Sequence, residues 1–295
     1  MKPYRDYSDF LKEHFDYKVQ KIPLSIGSTC PNRDGTIGTG GCIYCNNNSF
    51  SPSYCHEATD IVRQIEAGKR FFGKRYTNMR YLAYFQAYTS THMPICDFMG
   101  LVRNAINVED IEGVVISTRP DCINEDLLSN LQRIKEEGKF VMLEFGVESF
   151  NDHTLQRINR GHNSAIAIEA IKKTAEYGFP VGVHLILGLP GEKEEDMLAT
   201  ADQISSLPVS VVKLHQMQVV KGTKLAALFD EGKADIMQWT ADQYIDMCIS
   251  FLSHLRKDIA IERFTSSSPA ELLIYPQWGL KPAQFTERLI SKILS

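Results

Sequence analysis

The sequence predicts an α/β fold, a partial (β/α)6 TIM-like barrel with a short C-terminal extension. Six short apolar runs, rich in β-branched and aromatic residues, have the character of buried parallel strands, and longer helical patterns separate them. The strand candidates are 22–28, 80–87, 113–119, 140–147, 181–188 and 209–216. The helix candidates are 58–72, 95–107, 125–137, 164–177 and 192–206. Such units fit a doubly wound sheet or a barrel, and six strands are too few to close the usual eight-stranded barrel.

Residues with known end preferences support these boundaries. Asn124 and Asn163 are suited to cap the helices that follow them, and Gly178 is suited to end the helix before it. From residue 259 onward, the sequence predicts one more strand, a Ser-rich loop and a final helix from Ala283. We therefore expect a core of residues 1–239, which includes an N-terminal extension, and a C-terminal extension of residues 240–295 packed on it.

Composition and charge restrict the class of protein. The 295 residues are 43% hydrophobic and 23% charged, which is ordinary for a globular protein. The net charge of −4 provides no overall basic field for nucleic acid. No run of about 18 apolar residues predicts a membrane span, and the first residues contain no apolar signal region. We therefore expect a cytoplasmic protein without membrane contact, whose seven cysteines are reduced.

Polar and glycine-containing turns follow the predicted strands. The carboxyl ends of parallel strands meet at one edge of a sheet or barrel, where such folds bind their ligands. These turns therefore supply candidates for a single binding site. The candidates are Gln86 and Thr89 after the second strand, and then Ser117, Glu148, Gly188 and His215 at the ends of the later strands.

Three cysteines follow the first predicted strand, at Cys30, Cys42 and Cys45. The loop between the first two contains four glycines, whose backbone can pack closely and offer N–H groups to an anion. A thiolate-bound iron–sulfur cluster is such an anion. Three ligands rather than four would leave one iron open to a substrate or cofactor.

Other interpretations of these cysteines stay open on residue pattern alone. A zinc site would need a fourth ligand, which Cys55 or His56 could supply. Cys42 and Cys45 could form a redox pair, although that motif normally opens a helix in a thioredoxin-like unit. Three unconnected core cysteines would explain neither the clustering nor the glycine-rich loop. The scattered cysteines at 55, 96, 122 and 248 show no second cluster motif.

The sequence from Cys42 to Cys45, with Tyr44 as its aromatic residue, resembles the Cys-x-aromatic-Cys ending of the radical SAM superfamily. Enzymes of this superfamily cleave S-adenosylmethionine (SAM) reductively. The eleven residues between the first two cysteines depart from the usual three. Together with the Cys-Pro-Asn-Arg-Asp-Gly sequence that begins at Cys30, this spacing resembles a small bacterial family related to the Elongator catalytic subunit. The resemblance covers 22–278, most of the chain.

This resemblance implies a [4Fe–4S] cluster on the three cysteines, with SAM bound to the open iron through its amino and carboxylate groups. An electron donor such as flavodoxin or ferredoxin would supply the electron. His184 stands where several relatives carry an acidic ribose ligand. The implied SAM contacts are Tyr44 near the adenine, Gln86 and Thr89 in place of the usual Gly-Gly-Glu turn, Ser117, Glu148 at the ribose, Arg160 at the carboxylate, Ile186 and Gly188 beside the adenine, and His215.

For the second substrate, the sequence offers one basic–aromatic stretch from Lys69 to Arg80, which includes Lys74 and Arg75. Cations bind phosphates and aromatic rings stack on bases, although a solvated helix face has the same composition. Gram-positive members of the resembled family are associated with modification of the wobble uridine side chain of tRNA. We therefore expect tRNA as a partner, docked by this stretch near the barrel mouth. The alternatives are a radical SAM enzyme that acts on a small metabolite and a zinc-stabilised RNA-binding or scaffold protein.

Overall fold

The computed structural model describes residues 2–46, 54–55, 60–73, 79–86 and 88–295, and seven parallel strands form its main sheet. These strands are β1 (Val19–Leu24), β2 (Arg80–Phe85), β3 (Ile111–Thr118), β4 (Phe140–Glu148), β5 (Val181–Leu187), β6 (Val211–Gln216) and, after the short β7 (Val219–Val220), β8 (Ala260–Arg263). They pair in chain order from β1 to β6, and β8 pairs with β6. β7 pairs separately with β9 (Leu273–Tyr275). The main sheet curls into a half-barrel, which confirms the predicted partial barrel and adds a seventh strand to it.

Helices follow most of the strands. They are α1 (Tyr7–Lys12), α2 (Ile61–Phe72), α3 (Ile95–Ile106), α4 (Glu125–Glu136), α5 (Asp152–Arg157), α6 (Ser164–Glu176), α7 (Glu194–Ser205), α8 (Lys224–Asp230), α9 (Ala241–His254) and α10 (Pro282–Leu294). The predicted caps are confirmed: Asn124 accepts a hydrogen bond from Leu127 N at 2.9 Å and Asn163 from Ile166 N at 3.0 Å. Gly178 adopts φ +71° just beyond α6, as a helix-ending glycine does.

Alternate residues of each strand face opposite sides of the sheet. On β4, Val141, Leu143 and Phe145 belong to the large apolar cluster packed beneath the helices. Met142 belongs to a second cluster on the other face, inside the half-barrel. Phe10 of α1 packs into this inner cluster and is almost fully buried. The short N-terminal helix, which the sequence analysis did not predict, therefore packs its Phe10 side against the barrel interior.

The first strand ends four residues earlier than predicted. Beyond Leu24 the chain leaves the sheet, because the buried side chain of Gln64 accepts from Ser25 N and donates to Ser25 O, both at 2.8 Å. These two bonds replace those of a strand. The chain is thereby released toward Cys30 at the carboxyl edge of the sheet.

Residues 240–295 contain α9, β8, β9 and α10, and through β8 they extend the main sheet. Besides α1, three short or irregular elements were not predicted, namely α5, α8 and the β7–β9 pair. A helix of six or seven residues spans two turns at most, too few for a clear apolar period. Among the described residues, no helix has the length and apolar character needed to cross a membrane.

Candidate active site

A cavity of about 190 Å³ lies at the carboxyl ends of the strands. Eleven of the twelve residues that the sequence analysis assigns to the cluster or to SAM line it. They are Cys30, Cys42, Tyr44, Cys45, Gln86, Thr89, Ser117, Glu148, Arg160, Ile186 and His215. Gly188 is the exception. It has φ +85°, and a Cβ there would lie 2.9 Å from the Trp239 ring, so this glycine permits close packing beside the cavity.

The cysteine loop is fastened to the segment that follows β4. Asn32 donates to the Asn159 carbonyl, and Asn159 donates back to the Gly41 carbonyl at 2.8 Å. Gly41 has φ +75°, and a Cβ there would lie 2.7 Å from Arg33 Nε. Only glycine suits this combination of backbone conformation and contact. The loop therefore holds Cys42 against the end of β4 while Arg33 packs across it.

All three cysteines are free thiols. Two of them, Cys42 and Cys45, are each contacted by an arginine. Arg160 Nη1 donates to Cys42 Sγ at 3.4 Å. Arg33 Nη2 donates to the Cys45 carbonyl at 2.7 Å, which brings its positive charge beside the Cys45 thiol. Burial and the neighbouring Cys42 thiol raise the pKa of Cys45, and Arg33 acts against this rise. The contacts place positive charge where thiolates would carry negative charge.

Cys55 lies apart from this group. Its thiol donates to the Pro23 carbonyl at 3.4 Å within the main apolar cluster, and burial raises its pKa to about 11. It is therefore poorly suited to be the fourth ligand of a zinc site, and His56 lies outside the described residues. Within the described ranges, no three His, Cys, Asp or Glu side chains are grouped as ligands of one metal ion. The thiolates of a four-iron cluster bind different iron atoms and need not converge on one point.

Glu148 projects from a strained position at the end of β4. Its φ is +69°, a conformation that costs a non-glycine residue about 1–3 kcal/mol. The pairing of β4 with β5 shifts register between Gly146 and Glu148. The Glu148 carboxylate lies 3.4 Å from Arg160 Nη2. Burial raises the pKa of Glu148, and Arg160 acts against the rise. In this strained conformation, the Glu148 carboxylate lies on the cavity wall as a buried hydrogen-bond acceptor.

Arg119 lies beside it, buried on the same wall. Its Nε and Nη2 donate to the Asp121 carboxylate at 2.8 and 2.7 Å. Its Nη1, Arg160 Nε and the hydroxyls of Thr89 and Ser90 are buried with no hydrogen-bond partner within the described chain. Buried polar groups are normally paired. This wall is therefore completed by a polar ligand or by water.

Beneath the cavity, four charged side chains form a closed ring of ion pairs inside the half-barrel. Lys21 Nζ lies 2.6 Å from Glu144 and 2.5 Å from Glu262. Lys213 Nζ lies 2.9 Å from Glu144 and 3.1 Å from Glu262. Lys213 also donates to the Tyr84 hydroxyl at 3.0 Å. Two positive and two negative charges balance, as burial at this depth requires.

His184 connects this ring to the cavity. Its Nε2 lies 2.8 Å from Glu144, and its ring stacks on His215 with centroids 5.6 Å apart. Burial and Lys213 lower the pKa of His184 to about 4, although Glu144 acts to raise it. The neutral ring therefore donates through Nε2 and presents Nδ1 as an acceptor. Arg263 donates a hydrogen bond to His215, so His184, His215 and Arg263 together form the floor of the cavity.

Motif reasoning missed several of these residues. Arg33, Arg119 and Arg263 all line the cavity. Arg33 lies in the motif that begins at Cys30 but was assigned no role there, and Arg119 and Arg263 are isolated arginines in the sequence. Lys213 and Glu144 could have been recognised from the sequence, since each is an ionisable residue within an otherwise apolar strand. An ionisable residue in a buried strand predicts a buried partner, but the pattern does not identify that partner.

The described ends of the basic stretch, Lys69 and Arg80, do not lie at the mouth. Lys69 Nζ is 3.5 Å from Asp110, and Arg80 Nη1 is 2.7 Å from the same carboxylate. Arg80 begins β2 and Asp110 precedes β3, so this group is at the amino edge, roughly 20 Å from the cavity at about 3.3 Å per strand residue. The prediction that this stretch lies near the mouth is therefore wrong for Lys69 and Arg80. Lys74 and Arg75 lie outside the described residues.

The sequence and structure can now be compared with known proteins. The chain belongs to the Radical SAM superfamily, which matches residues 24–204, and residues 209–294 match the Radical SAM C-terminal domain. The uncharacterized protein YtqA of Bacillus subtilis is 31% identical over 279 residues, which cover 95% of this chain and 86% of the relative. Protein YhcC of Escherichia coli is 34% identical over 268 residues, which cover 91% and 85%.

Two further matches cover a smaller part of this chain or share less of its sequence. The tRNA uridine(34) acetyltransferase of Dehalococcoides mccartyi is 32% identical over 124 residues, which cover 41% of this chain and 26% of the relative. The structure of Methanocaldococcus infernus Elp3 with an N-terminal deletion gives a TM-score of 0.69 at 18% identity, and the match covers 94% of this chain and 64% of that one. At that identity the structural likeness shows the shared fold.

This chain is therefore a radical SAM enzyme. The cofactors of the family are SAM and a [4Fe–4S] cluster. The cavity fits them, since three free thiols and several buried unpaired polar groups line or border it.

Proposed function

We propose that this enzyme cleaves SAM at a four-iron cluster held by Cys30, Cys42 and Cys45, and that it directs the resulting radical at the wobble uridine of a tRNA. The observation that carries the cleavage site is the single cavity shared by the three free thiols and by Arg160 and Glu148. When bound, the cluster supplies the electron that divides SAM into methionine and a 5′-deoxyadenosyl radical. A one-electron carrier such as flavodoxin or ferredoxin is the proposed reductant.

The chain's own part is to orient SAM. Arg160 Nε is a buried donor without a partner in the described chain, suited to the SAM carboxylate. The hydroxyl of Thr89 is likewise unpaired and suited to the SAM amino group. Glu148 supplies an acceptor for a ribose hydroxyl, and the rings and alkyl groups of Tyr44 and Ile186 flank the place for the adenine. Gln86, Ser117 and His215 complete the proposed contacts along the strand ends.

The tRNA part of the proposal rests on the related tRNA uridine(34) acetyltransferase and on the accessibility of the mouth. A wobble base is already single-stranded, so it can leave its stack at modest cost and enter a cavity. Tyr88 lines this cavity and is 41% exposed, so its ring offers a stacking face at the opening. We therefore place RNA contact at the mouth, around Tyr88, and not at the Lys69–Arg80 stretch.

Anaerobic incubation of the reconstituted protein with SAM, dithionite and tRNA from a strain that lacks the gene tests both parts. We expect 5′-deoxyadenosine to form and one wobble nucleoside to change. Tyr88→Ala should weaken tRNA binding by about 5- to 150-fold, the equivalent of losing about 1–3 kcal/mol of base stacking. It should leave SAM cleavage without tRNA unchanged.

Tyr17→Ala is the matched control, because Tyr17 is 44% exposed and precedes β1 at the opposite edge of the sheet. It should bind tRNA like the parent. The tRNA proposal fails if tRNA neither binds at low salt nor changes the rate of SAM cleavage, and if the deletion strain has the parental nucleosides. A small metabolite would then be the leading second substrate.

A further inference from the structure

Two buried or half-buried guanidinium groups lie against two of the three proposed cluster ligands. Arg160 Nη1 donates to Cys42 Sγ at 3.4 Å, and Arg33 Nη2 donates to the Cys45 carbonyl at 2.7 Å, so its positive charge lies beside the Cys45 thiol. Asn32 Nδ2 adds a longer contact to Cys42 Sγ at 3.8 Å. Arg160 is 7% exposed and Asn32 is 1% exposed, so water screens the contacts to Cys42 little.

Both guanidinium groups are also held by hydrogen bonds to the backbone. Arg160 also donates to the Gly146 carbonyl and faces the Glu148 carboxylate, while Arg33 donates to the Cys45 carbonyl. These additional bonds fix both side chains before any cluster is present. The positive charge at the sulfurs is therefore preorganised, as it is for other groups that orient or tune a metal centre.

Positive charge at a thiolate has a defined electrostatic consequence. An iron–sulfur cluster gains one negative charge when it accepts an electron. A donor N–H at a ligand sulfur withdraws electron density from it, and hydrogen bonds to the sulfurs and local charge are among the factors that set a cluster's reduction potential. A cation in a poorly solvated site stabilises the reduced state more strongly than the same cation in water.

We propose that Arg160 and Arg33 are positioning residues that raise the reduction potential of the cluster, Arg160 by a hydrogen bond to Cys42 Sγ and Arg33 by its positive charge beside Cys45. This role rests on the proposed cluster site. It is separate from any contact between Arg160 and SAM, because it acts on the cluster before SAM binds. Asn32 contacts the same sulfur as Arg160, that of Cys42.

The test is a redox titration of the reconstituted protein without SAM, in which the electron paramagnetic resonance signal of the reduced cluster is measured at each potential. The iron content of each variant is measured as well. Arg160→Gln and Arg33→Gln should each lower the reduced-to-oxidised ratio at a fixed potential at least tenfold, a shift of about 59 mV for a one-electron couple. Arg160→Lys keeps the charge and should lie between Arg160→Gln and the parent.

Arg263→Gln is the matched control, because Arg263 lines the same cavity but contacts His215 instead of a cysteine. It should shift the ratio less than either of the other Gln variants. The proposal is overturned if Arg160→Gln and Arg33→Gln shift the ratio no more than Arg263→Gln does. If Arg160→Gln retains no iron, the same criterion applies to Arg160→Lys and Arg33→Gln.

The iron count separates this proposal from the proposed function. A parent protein that takes up no cluster contradicts both. A parent that takes up four iron atoms and forms 5′-deoxyadenosine, with potentials that ignore Arg160 and Arg33, contradicts only the role inferred for these arginines.

Discussion

Replacing Glu144 by Gln removes one negative charge from the buried ring of ion pairs beneath the cavity. Glu144 is 1% exposed and contacts Lys21, Lys213 and His184 within 3 Å. His184 is neutral near pH 7, because burial and Lys213 lower its pKa to about 4. Without the Glu144 charge, two buried lysines would share the single carboxylate of Glu262.

The expected loss of stability follows from this imbalance. Removing one partner of a buried ion pair costs about 3–5 kcal/mol, because it leaves an uncompensated buried charge. An unfolding entropy of about 2.1 cal/mol/K per residue gives roughly 0.6 kcal/mol/K for 295 residues. The melting temperature should therefore fall by about 5–8 °C.

Calorimetry of the Glu144→Gln protein at pH 7 measures this change. The double variant Glu144→Gln with Lys213→Met restores charge balance, so its loss should be smaller than the sum of the two single losses. Arg103→Met is the control, because Arg103 and Glu137 form an exposed pair on the surface. The reasoning is refuted if Glu144→Gln melts within 1 °C of the parent, or if the two ring substitutions are additive.

The pH dependence gives a second check on the ring. Burial alone would raise the pKa of Glu144, but Lys21 and Lys213 outweigh it and hold the pKa well below its usual range. A carboxylate with a lowered pKa stabilises the fold above its unfolded pKa of about 4.3, and this contribution is lost as the pH falls. The difference in melting temperature between parent and Glu144→Gln should therefore shrink below about pH 4.

Two further predictions concern the site, and a third concerns Glu192, a buried carboxylate outside the cavity lining. Cys42→Ala should abolish iron uptake, whereas Cys96→Ala, which alters an exposed thiol outside the cavity, should retain the parental iron content; equal iron in both proteins would exclude Cys42 as a ligand. Arg160→Ala should weaken SAM binding roughly 10- to 100-fold, because a charge-assisted contact contributes about 1.5–3 kcal/mol; parental affinity in equilibrium dialysis would reject this assignment. Burial raises the pKa of Glu192 to about 7, so its ionisation destabilises the fold as the pH rises from about 4.5 to 7. At pH 8, Glu192→Gln should therefore be more stable than the parent by up to roughly 3 kcal/mol and should melt at a higher temperature, whereas at pH 5 the two proteins should melt close together. A difference in melting temperature that stays the same from pH 5 to pH 8 would contradict the raised pKa of Glu192.

Local sequence patterns were sufficient to predict the parallel half-barrel, because its signals are local and repeated. Apolar strands, helix caps such as Asn124 and Asn163, and polar turns at the strand ends recur along the chain. The end of β1 was misplaced because the competing hydrogen bonds come from Gln64, nearly forty residues away. The sequence gives no local sign that this amide will bond the Ser25 backbone.

The candidate site divides in the same way. Cys30, Cys42 and Cys45 share one loop and one motif, so their grouping was predictable, and the structure places all three on one cavity. The ring members Lys21 and Glu262 lie more than two hundred residues apart, and only the curling of the sheet brings them together. The prediction that the Lys69–Arg80 stretch lies near the mouth was wrong for Lys69 and Arg80, because composition does not reveal which edge of the sheet a segment occupies.

Formation of 5′-deoxyadenosine by the anaerobically reconstituted protein tests the central claim most directly. With SAM and dithionite, the parent should be brown, should contain about four iron atoms, and should release 5′-deoxyadenosine and methionine in equal amounts. Cys45→Ala should release neither, while Cys96→Ala should match the parent. A colourless parent that holds one zinc ion and leaves SAM intact would contradict the assignment of this cavity to radical SAM chemistry.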